Sequence, residues 1–263
     1  MARNIVFIPF IKRGETGRHD AYNWSIKSWQ KWCDNNHAEL FVLEDLLWPE
    51  DHMKITWQRW HIFDILDAND IDLGKDGQVA IVDADTIIHP KTPDFFKLTG
   101  MNMAGVLNDG DYEWVTRSIH GYSKAFFNEP CSMRTGEYIN NGFVVMNEAH
   151  RPFCKEVLDF YNKHKEDIIK SYSIIRASTD QTLINILRAK MGVPIAILPR
   201  DFNLQDLHRK NLLYVHPQCW WPDNLDNLKN SGWIYHFNSI PKNPLERYAK
   251  YWMERLYNEF YPE

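Results

Sequence analysis

Four consecutive apolar residues, Val79 to Val82, run directly into Asp83 and Asp85 within the stretch VAIVDADTIIHP. A short apolar run that follows the turn-rich IDLGKDGQ and stops at carboxylates reads as a buried strand. It therefore fixes a point in the fold: two acidic side chains, one small residue apart, at the carboxyl end of a strand. In an open α/β sheet, ligands gather outside that edge. Two hard oxygen donors at this spacing suit Mn²⁺ or Mg²⁺, which in turn can hold a diphosphate. The same pair also fits a solvated, Asp-rich turn, so the residues around it must decide.

The flanking chain alternates strand and helix signals. IVFIPF (5 to 10) reads as a first strand, and the Gly/Arg-rich segment 12 to 19 as the loop at its end. Tyr22, Ile26, Trp29, Trp32 and Cys33 fall at three- and four-residue steps and define one face of a helix. ELFVLED (39 to 45) completes a β-α-β opening, the unit that builds parallel sheets. Residues 55 to 69 carry Trp57, Trp60, Phe63 and Ile65 or Leu66 on a helical stripe, with Arg59 and His61 off it. After Asp85, HPKTPDFFKL predicts a short helix capped by Thr92 or Asp94.

MAGVLND (103 to 109) is a further strand, and the polar, Gly-containing residues 111 to 136 read as a loop excursion, as do 205 to 230. YINNGFVVMN (138 to 147) is strand-like, interrupted by Asn140, Asn141 and Gly142. Helices follow over 152 to 170 and 178 to 192, the second opening on Ser178 or Thr179 and closing on Gly192. IAILP and WIYHFN are short strands, and Pro244 opens a C-terminal helix over 244 to 260 with Tyr248, Trp252 and Leu256 on one face. Together these predict a single α/β domain spanning residues 1 to 263, with the last helix docked on the body.

Composition narrows the function classes. With 44% hydrophobic and 25% charged residues the chain is of soluble globular type, and a net charge of −5 supplies no general attraction to nucleic acid or anionic membranes. The apolar run in MARNIVFIPFIKRGE is too short for a secretory signal, and no window is long enough to span a bilayer, so a cytoplasmic location is expected. Cys33, Cys131, Cys154 and Cys219 form no C-x-x-C pair and read as reduced, mostly buried thiols.

The order of motifs from about residue 54 to 245 resembles the GT-A nucleotide-sugar glycosyltransferases, and glycosyltransferase family 8 in particular. TWQRW supplies the aromatic-x-Arg segment with Trp57 and Arg59; Asp83 and Asp85 are the D-x-D. INNGFVVMN places Asn140 and Gly142 in the strand that lines the donor sugar. Asp180, Gln181 and Asn185 match the family's D-Q-x-x-h-N beside the transferred sugar (h, apolar), and Phe202 and Asn203 match its F-N. His236 and Lys242 reproduce the six-residue spacing of the third metal ligand and the phosphate-binding Lys. Three features depart from the pattern: the first strand lacks an acidic residue at its end, Ser239 stands where the family has Gly, and Asn243 and Pro244 follow the Lys.

The resemblance implies a Rossmann-like GT-A domain with a mixed, mostly parallel central sheet flanked by helices. It implies a metal site of Asp83, Asp85 and His236 for Mn²⁺ (or Mg²⁺), and donor contacts from Arg59, Asp83, Asn140, Gly142 and Lys242. Asp180 and Gln181 would be the catalytic pair, in a transfer that retains configuration. The donor would be a nucleotide-diphosphate sugar, a UDP-sugar first. The likeness to small enzymes of tailed phages suggests a glycan or a hydroxymethylated DNA base as acceptor, with Trp220, Trp221 and the 111 to 136 segment able to stack on either.

Each residue also has a duller reading: His236 as a core histidine, Lys242 as a solvated loop, Asn140 and Asn141 as parts of a β-bulge, and Asp180 as a helix cap. Two other functions stay open. The hhhhDxDT pattern also resembles the nucleophile strand of haloacid-dehalogenase-type phosphohydrolases, in which the first Asp attacks phosphorus. A GT-A fold can also serve as a non-catalytic module that binds a sugar nucleotide or a glycan.

Overall fold

The computed structural model describes residues 2–11, 18–108, 110–130, 133–178, 180–205, 207, 228–240 and 249–262, with the backbone alone at Arg18 and His19. It is an α/β fold whose central sheet is mixed and mostly parallel, as expected. Six strands are hydrogen-bonded in the order β2-β1-β3-β6-β5-β7, and β4 and β8 form a separate pair. In chain order the strands are β1 (Asn4–Pro9), β2 (Glu39–Leu43), β3 (Gln78–Val82), β4 (Thr86–Ile88), β5 (Met103–Leu107), β6 (Ile139–Asn147), β7 (Ile195–Ile197) and β8 (Ile234–His236). Every residue of β3 is buried, which accounts for the apolar run Val79 to Val82 that follows Gln78. The chain divides into two compact units.

The unit Asn4–Asp45, Ala80–Leu98 and Leu198–Glu263 contains the Asp83 and Asp85 segment. Its β1 and β2 pair in parallel from Ile5↔Glu39 to Pro9↔Leu43, joined through α1 (Arg18–Asn36). The apolar stripe of α1 buries Trp29, Trp32 and Cys33 completely, with Tyr22 and Ile26 only half-buried. Both indoles end on the segment that follows Asp85: Trp29 Nε1 donates to Thr86 Oγ1 (2.9 Å) and Trp32 Nε1 to the Thr92 carbonyl (3.0 Å). Trp32 also stacks on Phe95 with ring centroids 4.7 Å apart. The amide of Phe96 donates to Asp94 Oδ1, so Asp94 caps the short 3-10 turn Phe95–Leu98.

Helix α7 (Ala249–Phe260) buries Trp252, Met253, Leu256 and Tyr257 in one apolar cluster with Ala21 of α1. Pro244 and Tyr248 lie outside the described residues. Burial pushes the Cys33 thiol up to about 12, with Asp34 adding to the shift, so it stays protonated. Cys154, in the other unit, is also a free buried thiol, pushed up by burial. Cys131 and Cys219 are outside the described residues.

The unit Met1–Arg3, Leu46–Val79 and Thr99–Ile197 departs from expectation in two places. The single helix expected over 55 to 69 is α2 (Ile55–Gln58), a 3-10 turn at Arg59–His61, and α3 (Ile62–Ala68). Arg59, read as lying off the buried stripe, is only 7% exposed: its Nε bonds back to the Thr56 carbonyl (3.0 Å), and the turn aims its guanidinium inward.

The second departure is α4 (Tyr112–Phe126), which replaces the expected loop excursion. Its start follows the usual physics, since Asp111 accepts from the Glu113 amide. Its middle hides the helix because Gly121 is a poor helix former. That glycine is there for packing: a Cβ would sit 3.0 to 3.2 Å from three carbons of Ile175 in α5 (Arg151–Ile175).

Strands β5 and β6 are antiparallel, with Ala104 opposite Val145 and Gly105 opposite Val144, but the next pair is Leu107 opposite Ile139. Val106 alone thus faces Asn140 to Phe143. This bulge, four residues against one, removes Asn140, Asn141 and Gly142 from the regular ladder with β5. Helix α6 (Gln181–Lys190) follows, closed by Gly192 at a φ of 67°.

Candidate active site

Asp83 and Asp85 leave β3 on a turn that is fixed at both ends. Thr86 Oγ1 donates to the Asp83 carbonyl (2.8 Å), and the Phe237 amide donates to the Asp85 carbonyl (2.8 Å). The second bond follows from the antiparallel pairing of β4 with β8, which sets Thr86 opposite His236. Strand pairing therefore brings together residues about 150 positions apart. His236 Nε2 lies 3.1 Å from Asp85 Oδ1 and 3.6 Å from Asp83 Oδ2. One donor atom from each of the three falls within 4.8 Å of the others, and among the described residues this is the one such His/Cys/Asp/Glu cluster.

The imidazole is 2% exposed, whereas the Asp83 and Asp85 side chains keep 30% and 14% of their surface open. Nδ1 of His236 is 3.1 Å from Asn203 Oδ1. A carboxamide oxygen only accepts, so Nδ1 carries a proton, and Nε2 faces the two carboxylates. Atoms held this close need a proton or a cation among them. The donor set, two carboxylate oxygens and a neutral imidazole, fits a divalent metal ion.

A second cluster forms in the other unit around Asp180. Arg59 NH2 lies 3.5 Å from Asp180 Oδ2, its NH1 donates to the Asn141 carbonyl (3.2 Å), and Asn141 Nδ2 donates to Asp180 Oδ2 (3.4 Å). Arg59 and Asp180 are both nearly buried, 7% and 4% exposed. Asp180 occupies the N-cap position of α6, yet its carboxylate makes no capping bond. That work is done by Ser178, whose Oγ accepts from the Thr182 amide (3.0 Å). The carboxylate is thereby released from the cap reading and directed at the guanidinium.

The next residue is held just as firmly. Gln181 Oε1 accepts from the Asn141 amide (3.2 Å), and Nε2 donates to Tyr138 OH (3.1 Å) and to Asn108 Oδ1 (3.3 Å). Tyr138 OH is 2.7 Å from Thr182 Oγ1, which donates to Ser118 Oγ (3.0 Å), which in turn donates to the Val115 carbonyl (2.9 Å). Since the Thr182 hydroxyl proton is used on Ser118, Tyr138 must be the donor to Thr182. Burial pushes the Tyr138 phenol up, only partly offset by these hydrogen bonds, and keeps it a neutral donor.

Of the sequence-predicted residues, Asp83, Asp85 and His236 come together in one unit, and Arg59, Asn140, Gly142, Asp180 and Gln181 gather in the other. Asn140 is locked, its Nδ2 donating to Asn108 Oδ1 (3.3 Å) and its Oδ1 accepting from the Gly142 amide (2.9 Å). Asn185 is turned inward: it accepts from the Ile139 amide (2.9 Å) and donates to the carbonyls of Ile139 (3.0 Å) and Gln181 (2.9 Å), tying α6 to the bulged strand. Trp57 is likewise a core residue, fully buried, with Nε1 on Tyr172 OH (3.0 Å). Lys242, Trp220 and Trp221 lie outside the described residues. Ser239 has a φ of 55°, in the left-handed region that glycine adopts more readily than serine.

Asn108, Tyr138, Thr182 and Ser118 carry no motif that sequence reasoning can find, and Asn203 matches the family's F-N without an assigned role. Asn108 has one visible cue, an amide directly after an apolar strand, and the hydroxyl chain has none.

No family model and no curated relative matches the chain. Solved structures do. A glycosyltransferase involved in the glycosylation of the major capsid of PBCV-1 superposes with a TM-score of 0.55 at 10% identity, over 97% of this chain and 98% of that one. The glycosyltransferase GlyE of Streptococcus pneumoniae TIGR4 gives 0.49 at 15% identity over 98% of this chain, which spans 63% of the longer protein. An active-site mutant of LgtC gives 0.48 at 14% identity, over 96% of this chain and 93% of that one. The first of these, above half on the superposition scale and nearly complete in both chains, establishes the shared fold. No helix among the described residues is long and apolar enough to cross a membrane.

Proposed function

We propose that residues 1 to 263 act as one GT-A glycosyltransferase domain, moving a sugar from a nucleotide-diphosphate sugar, a UDP-sugar first, to an acceptor hydroxyl with retention of configuration. The observation that carries this reading is the Asp83, Asp85 and His236 cluster, built by pairing β4 with β8 in a fold shared with a glycosyltransferase. Breaking the bond between an anomeric carbon and a diphosphate builds negative charge on the leaving phosphate. A divalent cation, Mn²⁺ (or Mg²⁺), would stabilise that charge when bound. The mixed oxygen and nitrogen set favours Mn²⁺, because imidazole suits transition metals better than Mg²⁺.

The chain's own residues then take separate tasks. Asp83, Asp85 and His236 hold the cation, and Lys242 adds positive charge at the phosphates. Arg59, Asn140 and Gly142 belong to the donor side, and the buried Arg59 pairs with the Asp180 carboxylate. Asp180 and Gln181 face the developing positive charge of the sugar ring. The acceptor is a glycan or a hydroxymethylated DNA base; a base inside a duplex would have to be flipped out to react. The PBCV-1 enzyme's role in capsid glycosylation makes surface glycans the first acceptors to try.

The test is a panel of nucleotide sugars incubated with Mn²⁺ and followed for release of nucleoside diphosphate, then repeated with surface glycans and modified DNA. Slow hydrolysis that EDTA removes, that added Mn²⁺ restores and that Asp83→Asn abolishes is the expected result. Tight binding of a nucleotide sugar with no turnover on any acceptor would instead make the chain a binding module. A covalent phosphoryl group on Asp83 after incubation with a phosphate ester would make it a phosphohydrolase.

A further inference from the structure

We infer that Asn203 is the positioning residue of the metal site: its side-chain oxygen fixes the tautomer and ring orientation of His236, so that Nε2 faces Asp83 and Asp85. This rests on the metal-site reading above and assigns a task to a residue outside the ligand set. Asn203 Oδ1 is 3.1 Å from His236 Nδ1, and the two side chains are 0% and 2% exposed, so water cannot substitute for either partner.

The backbone around Asn203 is clamped from both sides. The Asn203 amide donates to the Arg200 carbonyl (3.0 Å), the Leu204 amide to Ile234 (2.8 Å) and the His236 amide to Leu204 (2.9 Å). Leu204 thus makes an isolated parallel bridge to Tyr235, the residue before His236. This approach needs Gly232, where a Cβ would fall 2.6 Å from Leu204 Cδ1 and 3.1 Å from the Asp201 carbonyl oxygen. Two segments some 30 residues apart are thereby held in fixed register, and the register sets the amide against the ring.

The choice of amide over carboxylate has a chemical consequence. An Asp at 203 would also accept from Nδ1, but would place a third negative charge beside Asp83 and Asp85 and strengthen the ring as a ligand. Asn orients the ring without that extra charge. Outer partners of this kind typically change metal affinity 10- to 100-fold when removed.

The test uses the full chain with ¹⁵N-labelled histidine. Long-range ¹H–¹⁵N spectra of the metal-free protein report which ring nitrogen of His236 carries the proton, the signal being assigned by its loss in His236→Gln. Nδ1 is expected to carry a proton in the wild type, and an unprotonated Nδ1 overturns the inference whether or not the protein binds metal. Mn²⁺ binding, followed by the EPR signal of the free ion, is expected to weaken about 10- to 100-fold in Asn203→Leu and to be restored in Asn203→Asp. Wild-type affinity in Asn203→Leu, at an unchanged melting profile, also overturns it. If the wild type carries the proton on Nδ1 and binds no Mn²⁺, the tautomer assignment stands and the metal-dependent function fails.

Discussion

The substitution Asp180→Asn separates structural from catalytic work at one buried carboxylate. It is nearly isosteric, so it removes a charge without opening a cavity. In the wild type, Asp180 Oδ2 sits 3.5 Å from Arg59 NH2 and accepts from Asn141 Nδ2 at 3.4 Å. Deleting one partner of a buried ion pair costs about 3–5 kcal/mol when the other charge is stranded. Here the loss should fall below that range. The 3.5 Å separation exceeds that of a close charge-assisted bond, and Arg59 retains the Thr56 and Asn141 carbonyls as acceptors. About 2 kcal/mol of stability is the expected loss, read as a lower midpoint in guanidinium chloride titrations.

The effect on transfer should be larger. A carboxylate facing a positively charged sugar ring stabilises the transition state more than the ground state, and removing one such electrostatic group costs about 10²–10³ in rate. Nucleotide-sugar affinity, measured by calorimetry on the same preparation, should stay within about threefold of wild type, because uniform binding is not what the carboxylate supplies. Equal losses in affinity and in transfer would refute the catalytic assignment. A variant as stable as the wild type would refute the buried pair.

Two further outcomes test the framework that supports the site. Gly77→Ala should destabilise by about 3 kcal/mol or more in the same denaturant assay, since a Cβ there collides with the Leu73 and Arg3 carbonyl oxygens, backbone atoms that cannot swing aside just ahead of β3. An unchanged midpoint would show that the turn into β3 is looser than described. His150→Gln should flatten the acid limb of the stability curve. Burial holds the His150 imidazole below its ordinary 6.5, with the Asn147 carbonyl pulling the other way, and its Nδ1 accepts from the Asn147 amide (3.1 Å). The unfolded chain therefore takes up the proton first; the stabilisation is complete above pH 6.5 and is lost as the pH falls from there towards the depressed folded value. Parallel wild-type and variant melts between about pH 7 and pH 5 would contradict this.

Much of the Asp83, Asp85 and His236 cluster is legible in the sequence because its signals are local. An apolar run stopped by Asp83 and Asp85 reads as a strand end, and His236 lies within a second short apolar run that strand pairing brings opposite Thr86. The Asn140–Gly142 interruption is legible for the same reason. The bulge is real, and it is what turns Asn141 towards Asp180 and Gln181. Helix α4 is not legible, since Gly121 lowers the helical signal to meet a packing need at Ile175 that only the folded chain reveals. The tightening at Arg59 is hidden likewise, because periodicity places a side chain on a face and says nothing about a guanidinium curling back onto its own turn.

The hydroxyl and amide partners are hidden for a different reason, which also makes them informative. Tyr138, Thr182, Ser118 and Asn203 make contacts across 33 to 64 positions, and their residue types are ordinary for a strand, a helix or a loop. Once buried, each must exhaust its hydrogen-bonding capacity inside the protein, because an unmade bond costs about 1–3 kcal/mol. Counting what remains, and asking whether it is exposed, therefore tells inward residues from outward ones. Asn185 spends both amide protons and an oxygen lone pair on backbone, which fixes it as a tie between α6 and β6. Gln181, one turn earlier on the same helix, spends both amide protons on Tyr138 and Asn108 and accepts once from Asn141. Each of the two amides keeps one oxygen lone pair, but Asn185 is 1% exposed whereas Gln181 is only half-buried. The D-Q-x-x-h-N motif thus contains one anchor and one residue able to meet a ligand, and Gln181 can meet it only as an acceptor.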